Sequence, residues 1–144
     1  MAENNMFELK IISPEEMFYE GEGSFLEFTS VGGEMGVYKN HIPLTTILEP
    51  CVMKIHKGTE VKKVAVLGGF VEILQEKITV LAEGVQWPEE IDVERAKRAE
   101  ARARERLEQK ETGIDIARAE AALKRAIARQ NARSEEHTSE LQSP

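Results

Sequence analysis

The chain has 144 residues, a hydrophobic content of 41% and a formal net charge of -7. This composition suffices for one packed domain or two small ones and excludes an intrinsically disordered chain. No apolar run approaches the roughly 18 residues that a membrane-spanning helix needs, and the first residues are not typical of a signal peptide, so we expect a soluble protein that is not exported. The single cysteine, Cys51, cannot form an internal disulfide and is expected to be a core or strand-end thiol.

Short runs of alternating apolar and polar residues fill the chain from Met6 to Ala82. Such runs, separated by Gly and Pro, are typical of β-strands. Because no helical period lies between them, they predict an N-terminal antiparallel β-sandwich or flattened barrel. The predicted strands are Phe7–Ile12, Ser24–Ser30, Leu44–Leu48, Val52–His56, Val61–Leu67, Phe70–Leu74 and Lys77–Ala82.

Two consecutive glycines, Gly68 and Gly69, invite comparison with a phosphate-binding loop. They lead into a strand, however, and no Lys-Ser or Lys-Thr pair follows them. We interpret them as a bulge or a tight crossing between strands.

The hydrophobic period changes to 3.6 residues after Trp87, which predicts a C-terminal two-helix antiparallel hairpin. Asp92 and Asp115 are the predicted N-caps of its two helices, with a break at Glu111–Gly113. The facing stripes are mostly alanine, which buries little area, so the hairpin is a candidate conformational switch. These stripes are Ala96, Ala99, Ala103 and Leu107 on the first helix, and Ile116, Ala119, Ala122, Leu123, Ala126 and Ile127 on the second.

The segment Arg133–Ser143 breaks the alanine and arginine pattern that precedes it. It resembles the in-frame translation of a common sequencing adapter, and the alternative is a genuine polar tail that is disordered. We therefore divide the chain into a β-sandwich domain at residues 1–87, a helical hairpin at residues 88–132 and a tail at residues 133–144.

The balance of acidic and basic residues also changes near the boundary between the sandwich and the hairpin. Residues 1–90 contain 15 acidic residues, 7 lysines and no arginine, whereas residues 91–132 contain 8 acidic and 11 basic residues. A cationic helical segment joined to an anionic module is suited to reversible docking on an acidic partner. One interpretation is a free-standing β-sandwich binding module whose basic hairpin docks on an acidic protein or nucleic acid.

Catalysis and metal binding find little support. Cys51, His41 and His56 do not suggest a nucleophile with its base, and His56 is expected to be solvated on an alternating strand face. No metal-ligand spacing is present. The arginines have eight acidic residues among them and no aromatic residue to stack on bases, which disfavours nucleic-acid binding.

The motif I-D-x-x-R-A occurs twice, at Ile91–Ala96 and at Ile114–Ala119. Its simplest meaning is a shared helix start, with an Asp cap followed by an Asp–Arg neighbour pair. By itself the motif does not identify a ligand.

The order of these features resembles the epsilon subunits of bacterial and chloroplast rotary ATP synthases, over Phe7 to about Asn131. Gly32–Pro50 (GGEMGVYKNHIPLTTILEP) is similar to the family segment G-E-x-G-x-x-x-x-H-x-P-L-x-T-x-L. Val64–Glu83 is similar to the family's strand pair with L-x-G-G-F-x-E-V. The helical hairpin completes the likeness.

The resemblance implies a non-catalytic central-stalk subunit that couples ion-driven rotation to ATP synthesis. The implied partners are the gamma subunit, the c-ring and the alpha and beta subunits, with no nucleic acid. Membrane contact would be indirect, through the c-ring, at the cytoplasmic face of the bacterial membrane. In this family the C-terminal helices move between a folded hairpin and an extended form that inhibits ATP hydrolysis.

The resemblance also implies site residues. Glu34 and His41 match positions that contact the c-ring and stalk. No cofactor is required, but some bacterial members bind ATP in the folded hairpin as a regulatory ligand. The residues that match are Ile91, Asp92, Arg95 and Ala96 in the motif, and Arg102, Arg125 and Arg129 where phosphate-facing arginines lie. The acidic residue that helps to hold adenine in the family is replaced by Gln86.

Overall fold

A computed structural model describes residues 5–109 and 113–142 as ten β-strands, a 3-10 turn and two α-helices. All seven predicted strands are present, with ends that differ by at most one residue. The strands are β1 (Phe7–Ile12), β2 (Met17–Gly23), β3 (Phe25–Ser30), β4 (Gly33–Tyr38), β5 (Leu44–Leu48), β6 (Cys51–Lys57), β7 (Glu60–Val66), β8 (Gly69–Ile73), β9 (Lys77–Ala82) and β10 (Val85–Gln86). The turn is Pro88–Glu90, and the helices are α1 (Val93–Glu108) and α2 (Gly113–Gln142).

The strands form one continuous sheet that folds over on itself. Its order is β10-β7-β6-β3-β5-β8-β9-β1-β2, and β4 pairs with β3. Every described pair is antiparallel, as predicted, except β1 with β9, which is parallel. The sheet curls until β2 approaches β6, which gives the predicted flattened barrel followed by helices.

The alternation of buried and exposed side chains along the strands builds the core. In β1, Phe7, Leu9 and Ile11 are buried while Glu8 is exposed, as expected for a strand with one face inward. Burying a large aliphatic side chain contributes about 1.5–3 kcal/mol, so the inward faces of the strands supply most of the stability of the fold. The other large buried side chains of the sandwich are Leu26, Phe28, Val37, Leu48, Met53, Ile55, Val64, Val66, Val71, Ile73, Ile78 and Val80.

Three strands have no clear signal in the sequence. β2 and β4 each contain two glycines and bury only one residue each, so they lack the apolar alternation that marks a strand. β10 is two residues long and exists because Val85 and Gln86 pair with β7. Pairing with a neighbour, rather than intrinsic preference, defines all three.

The glycine pair is a tight crossing, as predicted. Gly68 and Gly69 have φ of +108° and +126°, a region that favours glycine. A Cβ on Gly69 would lie 2.0 Å from the carbonyl oxygen of Leu81 on the neighbouring strand. Only glycine allows β8 and β9 to approach this closely.

Helix α1 begins as predicted, because the Asp92 carboxylate accepts a hydrogen bond from the backbone N–H of Arg95 at 3.1 Å. The predicted cap at Asp115 was wrong: α2 begins at Gly113, so Asp115 lies within its first turn. There a carboxylate still interacts favourably with the helix dipole. Of the predicted break, Glu111 and Thr112 lie outside the described residues.

In the structure helix α2 extends to Gln142, through the segment that was assigned to a tail from the sequence. The segment contains no glycine, and its only proline is Pro144, so no helix-breaking residue precedes the end of α2. Neither helix in the described part of the chain is long and apolar enough to cross a membrane.

The hairpin docks on the sandwich through a small contact. Ala132 is fully buried against Ala65 of β7 and against Ile91, which lies in the linker (residues 87–92) between β10 and α1. Beside this cluster, the Nζ of Lys124 lies 3.0 Å from a carboxylate oxygen of Glu49. The sandwich and the hairpin therefore share few apolar residues.

Candidate functional site

The linker between sandwich and hairpin is held in a fixed conformation. Trp87 stacks on Phe18 with 4.8 Å between ring centroids, and its backbone N–H donates to the Glu90 carboxylate at 2.8 Å. Ile91 is buried, and Asp92 then caps α1. This linker places the first turn of α1 directly beside the end of β10.

A pocket of about 310 Å³ lies where β10, the linker, α1 and α2 meet. Its wall is mainly polar and charged and includes two alanines from the first turns of α1. It is lined by Gln86, Glu90, Asp92, Arg95, Ala96, Ala99, Arg102 and Arg129. Only the approach of α2 to α1 brings Arg129 to the other residues, so the pocket is complete only when the hairpin is folded.

Arg129 is the half-buried cation of this pocket. Its Nε donates to the side-chain oxygen of Gln86 at 2.8 Å. Burial lowers the pKa of the Arg129 guanidinium from its ordinary value, and the positive charges of Arg125 and Arg95 lower this pKa further. Like charges gathered in this way favour an anion.

Two of the lining carboxylates are partly engaged by backbone donors. One oxygen of Glu90 accepts from the N–H of Trp87 at 2.8 Å, and one oxygen of Asp92 accepts from the N–H of Arg95 at 3.1 Å. The pocket thus combines hydrogen-bond acceptors near the linker with cationic donors on the helices. Such a pocket can bind a ligand with a polar head and a phosphate chain.

The structure brings together five of the seven residues that the resemblance assigned to ATP binding, namely Asp92, Arg95, Ala96, Arg102 and Arg129. The side chain of Ile91 is instead packed in the contact between hairpin and sandwich. Arg125 lines a neighbouring cleft between α2 and the sandwich and acts on the pocket through its charge.

Two lining residues were missed by sequence reasoning about the site. Glu90 immediately precedes the I-D-x-x-R-A motif, and Ala99 lies one turn after Ala96 on the same helix face. Helical spacing from Ala96 would have pointed to Ala99, and the position next to the motif would have pointed to Glu90.

Glu34 and His41 do not form one site. Glu34 is exposed near the start of β4, whereas His41 follows the other end of this strand, where its Nδ1 lies 2.6 Å from the carbonyl oxygen of Ile42. Each is at least partly exposed and can contact a partner, but the contacts would be made at different ends of the strand.

A row of exposed apolar residues crosses the outside of the sheet and was not predicted. Ile47, Phe70 and Leu81 lie opposite one another on β5, β8 and β9. These residues are 51%, 52% and 47% exposed. A contiguous apolar patch of this kind marks a surface for another protein.

His56 is less solvated than expected. Its Nε2 forms an ion pair or hydrogen bond with the Glu27 carboxylate, and its ring lies 5.1 Å from that of Phe25. Within residues 5–109 and 113–142 no group of three or more His, Cys, Asp or Glu is arranged to hold a metal ion.

Known protein families match both parts of the chain. Residues 6–88 match the ATP synthase, Delta/Epsilon chain, beta-sandwich domain, and residues 89–133 match the long alpha-helix domain of the same chain. A relative from Caldanaerobacter subterraneus, the ATP synthase epsilon chain, is 41% identical over 124 residues, which are 85% of this chain and 90% of the relative. The ATP synthase epsilon chain of Halalkalibacterium halodurans is 42% identical over 122 residues, covering 84% and 92% of the two chains.

Solved structures share the fold. A chain of the Euglena gracilis mitochondrial ATP synthase, in an assembly of OSCP, F1 and c-ring, superposes with a TM-score of 0.77 at 20% identity and covers 90% of this chain and 82% of that one. A chain of the Tetrahymena thermophila mitochondrial ATP synthase central stalk and c-ring gives 0.61 at 15% identity, covering 88% and 96%. The predicted order of β-sandwich and helices is thereby confirmed.

Proposed function

This chain belongs to the ATP synthase delta/epsilon family, and we propose that it is the central-stalk subunit whose helical hairpin regulates ATP hydrolysis in response to ATP. As a family member it is a non-catalytic subunit of the F-type ATP synthase. The family match favours this function over a free-standing binding module.

The proposed partners follow from the surface of the sandwich. The apolar row of Ile47, Phe70 and Leu81 suits a permanent protein contact, which we assign to the gamma subunit. Glu34 and His41 are the residues assigned to the c-ring and stalk. The two solved structures described above come from ATP synthase assemblies that contain a c-ring, which supports a place in such an assembly. From the resemblance to bacterial epsilon subunits we assign the chain a peripheral location at the cytoplasmic face of the bacterial membrane.

The weak docking of the hairpin carries the regulatory part of the proposal. The contact with the sandwich includes the small apolar cluster of Ala65, Ile91 and Ala132, with Val52 and Val93 packed against it, and a few polar contacts. At about 25 cal/mol per Å², small alanine surfaces contribute little, so the free energy that separates docked and released hairpins is small. A released hairpin carries exposed arginines that suit an acidic surface on the catalytic subunits.

Truncation after Pro88 tests this regulatory role in the reconstituted ATP synthase. Because the core of the sandwich is contained within β1–β9, we expect assembly and ATP synthesis to be retained while ATP hydrolysis rises. The full-length chain is the matched control. Hydrolysis at the full-length level would argue against an inhibitory hairpin.

The composition of the pocket supports ATP as the regulatory ligand. Gln86, the motif residues of α1 and Arg129 of α2 surround one cavity only in the folded hairpin. A ligand that contacts all of them binds the folded state preferentially and shifts the equilibrium by that difference in affinity.

Calorimetry on the isolated chain tests ATP binding. We expect heat of binding that the double variant Arg95→Ala, Arg129→Ala abolishes, because both guanidinium groups line the pocket. Arg106→Ala, an exposed residue in the last turn of α1, is the control and should bind as the parent does. No binding by the parent chain at millimolar ATP would refute this part of the proposal.

A further inference from the structure

The first half of the linker, Trp87 and Pro88, is attached to the sandwich. The Trp87 ring stacks on Phe18 with 4.8 Å between ring centroids and meets Tyr19 edge-on at 6.3 Å. Both partners belong to β2, and all three rings pack against the core of the sandwich. On the other side of Tyr19, the Nζ of Lys62 on β7 lies 5.5 Å from the ring centroid. We call Phe18, Tyr19 and Trp87 the aromatic clamp, and it is formed without any residue of the helices.

Pro88 extends this attachment into the backbone. The proline ring fixes its own φ and restricts the preceding residue to extended conformations. Trp87 accordingly has φ of -68° and ψ of 149°. Pro88 is also buried, so displacing this half of the linker would expose it to water. A hinge in the linker must therefore lie after Pro88.

The second half of the linker, Ile91 and Asp92, is attached to the hairpin. Ile91 is 3% exposed and packs with Ala132 of α2 at the contact that must open when the hairpin is released. Asp92 caps α1. Between the two halves, Glu89 and Glu90 are exposed in the 3-10 turn. Exposed residues between two attached segments can absorb the backbone rotation of a hinge.

Hydrogen bonds hold this turn closed. The backbone N–H groups of Glu90 and Ile91 donate to the carbonyl oxygens of Trp87 and Pro88 at 3.0 Å and 3.1 Å. The Glu90 carboxylate accepts a further bond from the backbone N–H of Trp87 at 2.8 Å. This last bond connects the turn to the attached half of the linker through a side chain, as in a helix capping box, so a substitution can remove it.

We propose that the linker is a divided hinge, in which Trp87 and Pro88 stay clamped to β2 while the hairpin rotates about residues 89–91, and in which the Glu90 carboxylate holds the turn closed. This inference rests on the proposed movement of the hairpin. It adds where the rotation occurs and which side chain resists it. Arg133 of α2 donates to the carbonyl oxygens of Pro88 and Ile91 at 3.3 Å and 3.1 Å, so it spans the same turn and separates from it on release.

Urea titration of the full chain without nucleotide tests the hinge through three probes. Trp87 is the only tryptophan of the chain, so its fluorescence reports the aromatic clamp. Energy transfer between labels at Thr59→Cys on the sandwich and Glu120→Cys on α2, in a Cys51→Ser background, reports the docked hairpin. Circular dichroism reports the strands of the sandwich.

We expect energy transfer to be lost at lower urea than the Trp87 signal, which should change together with the strands. Glu90→Ala should lower the equilibrium constant for docking of the hairpin roughly fivefold, the effect of losing one exposed capping hydrogen bond, and should leave the Trp87 transition in place. Glu89→Ala is the matched control, since Glu89 is an exposed glutamate in the same turn, and it should behave as the parent does.

The outcomes separate this inference from the proposed function. A Trp87 signal that changes with energy transfer while the strands stay folded would show that the whole linker moves, and would overturn the divided hinge. Equal effects of Glu90→Ala and Glu89→Ala would overturn the role of Glu90. Both results would leave a movable hairpin in place. If all three probes change together, the hairpin does not separate from the sandwich, and the regulatory proposal falls together with the hinge.

Discussion

At the residue scale, Gly69 shows how one backbone position sets the geometry of the sheet. Two separate constraints act at this position. The first is its φ of +126°, and the second is the 2.0 Å that would separate a Cβ from the Leu81 carbonyl oxygen. Gly58 has φ of +65° but open space around it, so it carries the first constraint alone.

The variant Gly69→Ala is therefore expected to lose about 2–4 kcal/mol of unfolding free energy, because a methyl group cannot fit without moving β8 from β9. Gly58→Ala should lose only about 1–2 kcal/mol, the cost of a left-handed conformation. Gly32→Ala is the near-neutral control, because a Cβ on Gly32 would lie 3.7 Å from its nearest described neighbour, the Oγ of Ser30. Urea unfolding followed by Trp87 fluorescence measures all three, and equal losses at Gly69 and Gly58 would contradict the steric argument.

At the scale of elements, the sequence predicts what periodicity encodes. Strands such as β1 and β9 bury alternate residues, so their pattern is visible without knowledge of their neighbours. β2 and β4 depend on pairing with β1 and β3, and this pairing is not written in their own composition. The candidate site is likewise only partly visible in the sequence. The I-D-x-x-R-A motif marks the first turn of α1, whereas the contact between Arg129 and Gln86 depends on how α2 docks.

The seam between the two helices contains a polar contact that we expect to respond to pH. Gln130 on α2 donates to the Glu100 carboxylate on α1 at 2.7 Å, and Arg104 donates to the same group at 2.8 Å. The hydrogen bond from Gln130, followed by that from Arg104, lowers the pKa of Glu100 from its ordinary value.

This depressed pKa fixes the sign of the pH effect. A carboxyl whose pKa is lower in the folded hairpin stabilises it above the ordinary pKa, and the contribution is lost as the pH falls through the depressed value. We expect the folded population of the parent to decrease in acid more than that of Glu100→Gln. Glu105→Gln, an exposed carboxyl on the same helix, is the control. The folded population is followed during acid titration by energy transfer between labels at Thr59→Cys and Glu120→Cys in a Cys51→Ser background. Identical titrations of the parent and Glu100→Gln would contradict this contact.

At the scale of the whole molecule, the chain is a stable sandwich with a weakly attached hairpin. The large core lies within β1–β9, and Trp87 packs against it from the linker. The hairpin touches this body through Ala132 and through Arg133, whose guanidinium donates to the carbonyl oxygens of Pro88 at 3.3 Å and Ile91 at 3.1 Å. Arg133 was assigned to the tail from the sequence, but the family match extends to it and its contacts join α2 to the linker.

Enlarging Ala132 should release the hairpin without unfolding the sandwich. Ala132 is fully buried and shares its cluster with Ala65 and Ile91, so Ala132→Leu overfills this contact at a cost of about 1–3 kcal/mol. The sandwich core does not include Ala132, so the urea midpoint of Trp87 fluorescence should stay near that of the parent. Protease cleavage in the linker should accelerate, whereas Ala101→Leu on the exposed face of α1 should leave it unchanged. If Ala132→Leu instead lowers the midpoint of the sandwich and the cleavage rate stays the same, the two parts unfold as one unit and the hairpin is not an independent switch.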